Sequence, residues 1–270
     1  GYRYIGNLEE GDNKSVREED LIRNLKKRGY SFELIKGALN EVNKAAMNQT
    51  ESLYKNNMAF YTLLRYGVQG LKDDDMKRQT VNLIDWENID NNDFAVAQEV
   101  RVLSYNNKNF KRPDVVIYVN GIALGVFELK RSCVSIGEGI RQNLQNQKRE
   151  NIERFFNTIQ FIFAGNESEG LKYGTIYTPE KFYLRWREDE NAKDDLSRRI
   201  KELQAHESSR LRDGVISICQ KERFLSLIYN FVIFDAGKKK LARHNQFFAA
   251  TAARAYIKRG EGGIIWNTQG

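Results

Sequence analysis

Asp114, Glu128 and Lys130 are the residues of this chain whose types and spacing could do chemistry. They lie in the run from Arg112 to Ser132, RPDVVIYVNGIALGVFELKRS, where a Pro-Asp pair is followed about fourteen residues later by Glu-x-Lys. Two carboxylates are hard oxygen ligands of the kind Mg²⁺ prefers, with water and phosphate completing its octahedral shell. The main-chain carbonyl of Leu129 would add a third protein oxygen. A metal so held orients a water, helps deprotonate it and offsets charge on a phosphorane-like transition state, which is the chemistry of phosphodiester hydrolysis. Lys130 would stabilise that charge or position the water. Two close carboxylates repel, so both stay ionised only with a cation or Lys130 beside them. The bland alternative is that these are solvated residues at strand ends, since Glu-x-Lys recurs by chance.

These side chains depend on the elements that carry them. Val115 to Val119 and the apolar run ending at 128–130 flank Asn120-Gly121, the strongest short-range signal of a hairpin. Alternation along a strand puts Glu128 and Lys130 on one face and sends Leu129 into the opposite layer. A regular ladder around a two-residue turn pairs Val119 with Ile122 and Asp114 with Phe127. That register leaves Asp114 on the face opposite Glu128. Joint action therefore requires a bulge or bend, and Pro113, which cannot donate to the ladder, predicts it near Pro113-Asp114. Ser135 and Glu138 form a capping-box pattern for a helix that follows at once. Ile140 and Leu144 belong to its buried stripe, with Arg141, Gln142 and Gln145 elsewhere around it. Such a helix can aim a side chain or its N-terminal dipole at a phosphate.

Around this centre the periodicity predicts an α/β chain with a mixed central sheet flanked by helices. Residues 17–28 read as an amphipathic helix stopped by Gly29, and Ser31 caps a second with Leu34, Leu39 and Val42 inward. A third opens at Asn56 or Asn57 and ends at Gly67. Strands are expected at 80–85 and 94–104, and a short helix at 152–156. The continuous apolar run Ile159 to Ala164 reads as a strand covered on both faces. Further strands are expected near 173–177 and 182–186. The charge-rich stretch 188–213 reads as a solvated helix and as a linker or domain boundary. Beyond it come an apolar helix from Phe224 to Phe234, a basic turn at Lys238-Lys239-Lys240, a helix over 241–258 and a buried strand at 262–266.

Composition excludes more than it assigns. The 270 residues carry 43 Lys plus Arg against 36 Asp plus Glu, a net charge of +7 that admits an anionic partner without demanding one. Two cysteines, Cys133 and Cys219, offer neither a disulfide framework nor zinc-ligand spacing and fit a reducing cytoplasm. No stretch reads as a membrane span or a signal peptide.

Taken together, RPDVVIYVNGIALGVFELK, the LLRYGV of the third helix, YGTIYTPEKFYLRW and the tail HNQFFAATAARAYIKRGEGGIIWNTQG resemble the N-terminal part of the restriction (motor and cleavage) subunit of type I restriction–modification enzymes. The resemblance runs over nearly the whole chain. It implies a nuclease domain of the PD-(D/E)xK class over residues 1–200 and the start of a RecA-like, helicase-like motor lobe over 201–270. It places the nuclease acids on Asp114 and Glu128 and the lysine on Lys130. A further Gln-x-x-x-Tyr motif of that family finds its glutamine at Gln142, whereas Asn146 stands where tyrosine is usual. Gln246 resembles the adenine-recognising glutamine of such motors. Thr268 and Gly270 fall in WNTQG, which resembles the first half of a phosphate-binding loop whose lysine would follow. The chain is thus expected to be a piece of a longer, cytoplasmic polypeptide and not to hydrolyse ATP by itself.

The implied activity is Mg²⁺-dependent cleavage of double-stranded DNA after ATP-driven translocation, with modification and specificity subunits as partners. DNA contacts are expected mainly at phosphates, through Arg112, Arg131 and Arg141, which flank the site in sequence. Two other readings are a docking module that couples motor to methyltransferase, and a related nuclease acting alone. Convergence of Asp114, Glu128 and Lys130 separates the nuclease from the docking module. The motor-like tail argues against the stand-alone enzyme.

Overall fold

A computed structural model describes residues 1–190, 192, 194–205 and 209–264. Its described strands are β1 (Arg3–Asn7), β2 (Val68–Lys72), β3 (Arg78–Val81), β4 (Phe94–Gln98), β5 (Val102–Leu103), β6 (Phe110–Lys111), β7 (Val115–Val119), β8 (Ile122–Leu129), β9 (Phe161–Asn166), β10 (Gly170–Gly174), β11 (Val232–Asp235) and β12 (Lys238–Leu241). The helices are α1 (Glu18–Lys27), α2 (Phe32–Ala46), α3 (Leu53–Tyr66), α4 (Ile136–Asn146), α5 (Asp195–Gln204), α6 (Arg210–Cys219), α7 (Lys221–Asn230) and α8 (His244–Lys258). Six strands form one sheet in the order β1-β4-β7-β8-β9-β10. The sheet is mixed: β1 runs parallel to β4 and β8 to β9, and the other neighbours are antiparallel.

Alternation divides the core into two layers. Val116, Tyr118 and Val126 face a cluster with Ile136 and Ile140 of α4 and Phe155 and Phe156. Ile117, Val119 and Phe127 face the other cluster, with Leu21 and Leu25 of α1, Leu34 of α2 and Phe224 of α7. All six residues of β9 are buried, as the unbroken apolar run requires for an internal strand.

The hairpin forms at the expected turn, with Asn120 at φ 51° and Gly121 at φ 79°, the two positive values that a type I′ turn needs. The bulge lies elsewhere than Pro113 predicted. Val119 pairs with Ile122 and Tyr118 with Ala123, but Ile117 pairs with Gly125, so Leu124 is the extra residue. The consequence is visible in the layers: Ile122 and Leu124 enter one cluster, while Val126, of the same parity, enters the other. One inserted residue exchanges the faces of everything that follows. Val115 therefore pairs with Phe127, which sets Asp114 opposite Glu128.

Several other expectations are corrected. The third helix starts earlier, at Leu53, because Ser52 accepts the amide of Lys55; Asn57 is buried in mid-helix and donates to the carbonyls of Phe156, Asn157 and Ile159. Residues 78–81 form a small ribbon with β2, and the 94–104 strand breaks at Glu99, whose φ is 49°. Residues 182–186 contribute only a bridge from Leu184 to Tyr173. The charge-rich stretch 188–213 holds α5 and the start of α6 rather than one solvated helix, with Ile200 buried and Leu211 packed on the main cluster. The helix begun near Phe224 stops at Asn230, and Val232 turns back into a β11–β12 hairpin through Ala236-Gly237. The basic turn is strand β12, with Lys239 buried. Of the strand expected at 262–266, Ile264 is 92% exposed and in no strand; Ile265 and Trp266 lie outside the described residues.

Candidate active site

The site forms where β7 begins and β8 ends. Asp114 precedes β7, and its Oδ2 accepts the amide of Leu129 at 2.5 Å, which ties the two strand ends together. Glu128 is fully buried. Its Oε1 accepts the side-chain amide of Asn146 at 3.1 Å, while its Oε2 has no hydrogen-bond partner. Lys130 Nζ stands 3.8 Å from that Oε2 and donates to Gln142 Oε1 at 2.6 Å. Helix α4 thus supplies both Gln142 and Asn146. It lies close to β8 because residue 139 is glycine: a Cβ there would meet the Glu128 carbonyl at 3.3 Å. Ser135 is the N-cap as expected, but its hydroxyl accepts the amide of Gly137 rather than that of Glu138, so the expected capping box is not formed.

The surroundings of Glu128 disfavour its charged form. Burial, then the Asp114 carboxylate, pushes Glu128 up to about 8 from its ordinary 4.5; Lys130 and the Asn146 amide pull the other way without winning. A buried carboxylate oxygen with no donor is costly unless a cation meets it. The donor set of two carboxylates suits a hard, oxygen-seeking divalent ion, and Asp114 and Glu128 are the residues that would hold it. Among the described residues no group of three or more His, Cys, Asp or Glu is placed to hold a metal, so such an ion would rely on few protein ligands and on water.

Glu99 was missed by sequence reasoning. Its amide donates to the Asp114 carbonyl, and its charge is a further, smaller contribution that raises Glu128. The available signal was its place at the end of an apolar strand, FAVAQ. Asn146, set aside because it is not tyrosine, is a direct partner of Glu128.

The expected DNA-contacting arginines divide. Arg112 is held by Glu99 at 2.7 Å, with Glu9 at 3.8 Å, and Arg141 by both oxygens of Glu180 at 2.9 Å. Arg131 is exposed and makes no side-chain ion pair or hydrogen bond among the described residues. Leu129 turns to the other face, as alternation requires, and lines a largely apolar cavity of about 740 Å³ with Val115, Ile117, Phe127, Leu211 and Val215. Gln246 is far along the chain from these residues; its Oε1 accepts the Arg243 amide at the start of α8. Thr268 and Gly270 lie outside the described residues. No helix among the described residues is long and apolar enough to cross a membrane.

Comparison with known proteins adds an independent line. Residues 1–181 match the family model described as "Type I restriction enzyme R protein N terminus", a span that holds all six strands of the central sheet. The putative type I restriction enzyme MjaIXP endonuclease subunit of Methanocaldococcus jannaschii is 28% identical over 233 residues, 78% of this chain and 22% of that protein. The type I restriction enzyme HindI endonuclease subunit of Haemophilus influenzae is 27% identical over 250 residues, 85% of this chain and 22% of that protein. The EcoprrI endonuclease subunit of Escherichia coli is 26% identical over 184 residues, 66% of this chain and 53% of that protein. The chain spans about a fifth of the length of the first two relatives.

Proposed function

The chain belongs to the family of the type I restriction enzyme R protein N terminus, and from that premise we propose that it is the Mg²⁺-dependent DNA endonuclease domain of a type I restriction subunit. The observation that carries this reading is the convergence of Asp114, Glu128 and Lys130 on one face of the β7–β8 hairpin, with one oxygen of the buried Glu128 lacking a donor. The docking reading required these side chains to diverge, so their convergence favours the nuclease.

The residues divide the work by chemistry. Asp114 and Glu128, with the Leu129 carbonyl, are the groups to hold Mg²⁺. Bound there, the ion supplies a Lewis acid that lowers the pKa of water and offsets phosphorane charge. Asn146 fixes one oxygen of Glu128 and leaves the other free to ligate. Lys130, steered by Gln142, presents an ammonium to the charge that develops on the phosphoryl oxygens or to the attacking water. Arg131, exposed and without a side-chain partner among the described residues, is a cation beside the site for a flanking phosphate. ATP-driven translocation and the modification and specificity subunits belong, in this proposal, to the longer polypeptide and its assembly.

The test is DNA cleavage by the intact subunit assembled with its partners, with and without Asp114→Ala, with ATPase recorded in parallel. Lost cleavage with retained ATPase is the expected result. Cleavage that survives removes Asp114 from the site and returns the docking reading.

A further inference from the structure

Between the two strands that bracket the site rises a small arm. β4 ends at Gln98, the chain turns at Glu99, and β5 pairs antiparallel with β6 before Arg112-Pro113-Asp114 re-enters the sheet. From Val100 to Pro113 the sequence holds Arg101, Lys108, Lys111 and Arg112 and not one carboxylate. Arg112 is neutralised by Glu99, and Arg101 donates to the Gly11 carbonyl. Lys108 and Lys111 have no side-chain partner among the described residues, and Lys108 is exposed. Two aromatic rings beside them are half exposed, Tyr105 at 54% and Phe110 at 49%, the latter with the Arg101 guanidinium 4.6 Å from its ring centre.

The arm is fixed against the helix that frames the site. The Tyr105 amide donates to the Asn151 carbonyl, just beyond the end of α4, and the Arg149 guanidinium lies 5.9 Å from the Tyr105 ring centre. Lys148 and Arg149 are exposed there and unpaired by any carboxylate among the described residues. Of the acids nearby, Glu153 accepts the Tyr177 hydroxyl and Asp12 accepts the Leu103 amide and pairs with Arg154; Glu10 and Glu150 are exposed without a side-chain partner among the described residues.

Unpaired cations on two elements that pack together, with Asp114 at the base of the arm and half-exposed rings beside them, make a surface for a polyanion. Resting on the proposed nuclease function, we infer that the β5–β6 arm and the turn after α4 grip the DNA backbone beside the scissile bond, with Lys108, Lys111 and Arg149 on phosphates. Duplex DNA presents a charge about every 1.7 Å of axis, and each phosphate contact releases counterions, which makes the grip measurable as salt dependence. The contacts carry no base information, as suits a cleavage module that need not read sequence.

The test is fluorescence anisotropy of a labelled non-specific duplex titrated with the 270-residue chain, in Ca²⁺ buffer across a salt series. Lys108→Ala/Lys111→Ala is compared with Lys26→Ala/Lys27→Ala, an exposed charge-matched pair on α1, which packs on the other face of the sheet. The arm variant is expected to lower the slope of log affinity against log salt by about 2, at roughly 0.9 per lost phosphate contact, and to weaken binding about tenfold or more. The α1 control is expected to keep the wild-type slope. Equal slopes for the two lysine pairs, or no salt-dependent binding by the wild-type chain, overturn the inference and give this surface to an acidic protein partner. If the cleavage test instead clears Asp114 while the arm slope falls, the catalytic reading fails and the DNA grip stands.

Discussion

Glu128 and Lys239 are both buried ionisable side chains, and their surroundings are opposites. Lys239 points its ammonium at three neutral oxygens: Asn57 Oδ1 at 2.8 Å, Gln160 Oε1 at 2.6 Å and the Ile159 carbonyl at 3.4 Å. Each of its protons has an acceptor, which offsets part of the cost of burial, although burial still holds its pKa well below normal. It pins the β11–β12 hairpin to the edge of α3 and the start of β9. Glu128 has one oxygen satisfied and one without a partner, faces a second carboxylate across the strand pair, and shares the Lys130 ammonium with Gln142. A closed shell around a buried charge marks a fixture of the fold. Under the proposed function, the unpartnered oxygen is where a cation would bind.

That contrast can be broken or sharpened by substitution, starting with the largest effect. Lys130→Ala is expected to lower cleavage by the assembled subunit roughly 10²- to 10³-fold, the usual cost of one charge-stabilising donor. Its unfolding midpoint in urea should stay near wild type. Lys239→Ala should do the reverse: about 3 kcal/mol lost in urea unfolding, because Asn57 and Gln160 are left with buried, unanswered oxygens. A Lys239 variant that cleaves poorly yet unfolds normally would erase the distinction.

Glu128→Gln is expected to stabilise the metal-free chain at pH 8.5 by roughly 2 kcal/mol, since it removes a buried charge without changing shape. The pH dependence follows from the raised pKa. The unfolded chain releases this proton near 4.5 and the folded chain near 8, so the stability it contributes is full below 4.5 and is lost as pH rises towards about 8. The gap between Glu128→Gln and wild type should open across that window in EDTA and shrink when Mg²⁺ is added. Asn146→Ala should have the smallest effect, about 1 kcal/mol in unfolding from one lost hydrogen bond.

Much of the site was legible because its signals are local. Asn120-Gly121 announces the turn, since few other residues accept two positive φ values in succession. Glu128 and Lys130 follow from alternation alone. The bulge was needed but not locatable: Pro113 drew the expectation to one end, whereas the extra residue, Leu124, is chosen by which side chains fill the two clusters. Glu99 and Asn146 gain their roles only from the pairing of β4 with β7 and the crossing of α4 over β8, neither of which a linear pattern encodes. Lys239 reads as part of a basic turn, whereas it is a buried residue of β12. The correct signal was present, because strand alternation exposes Lys238 and Lys240 and turns Lys239 inward.

The central claim is that the open oxygen of Glu128, opposite Asp114, awaits a divalent cation. The most direct measurement is a titration of the chain with Mn²⁺ as a paramagnetic stand-in for Mg²⁺, following free Mn²⁺ by electron paramagnetic resonance at pH 7.5. The wild-type chain should bind Mn²⁺ competitively with Mg²⁺, and Glu128→Gln and Asp114→Asn should each bind at least about tenfold more weakly. Equal binding by all three proteins would show that the paired carboxylates are not a metal site and would contradict the account.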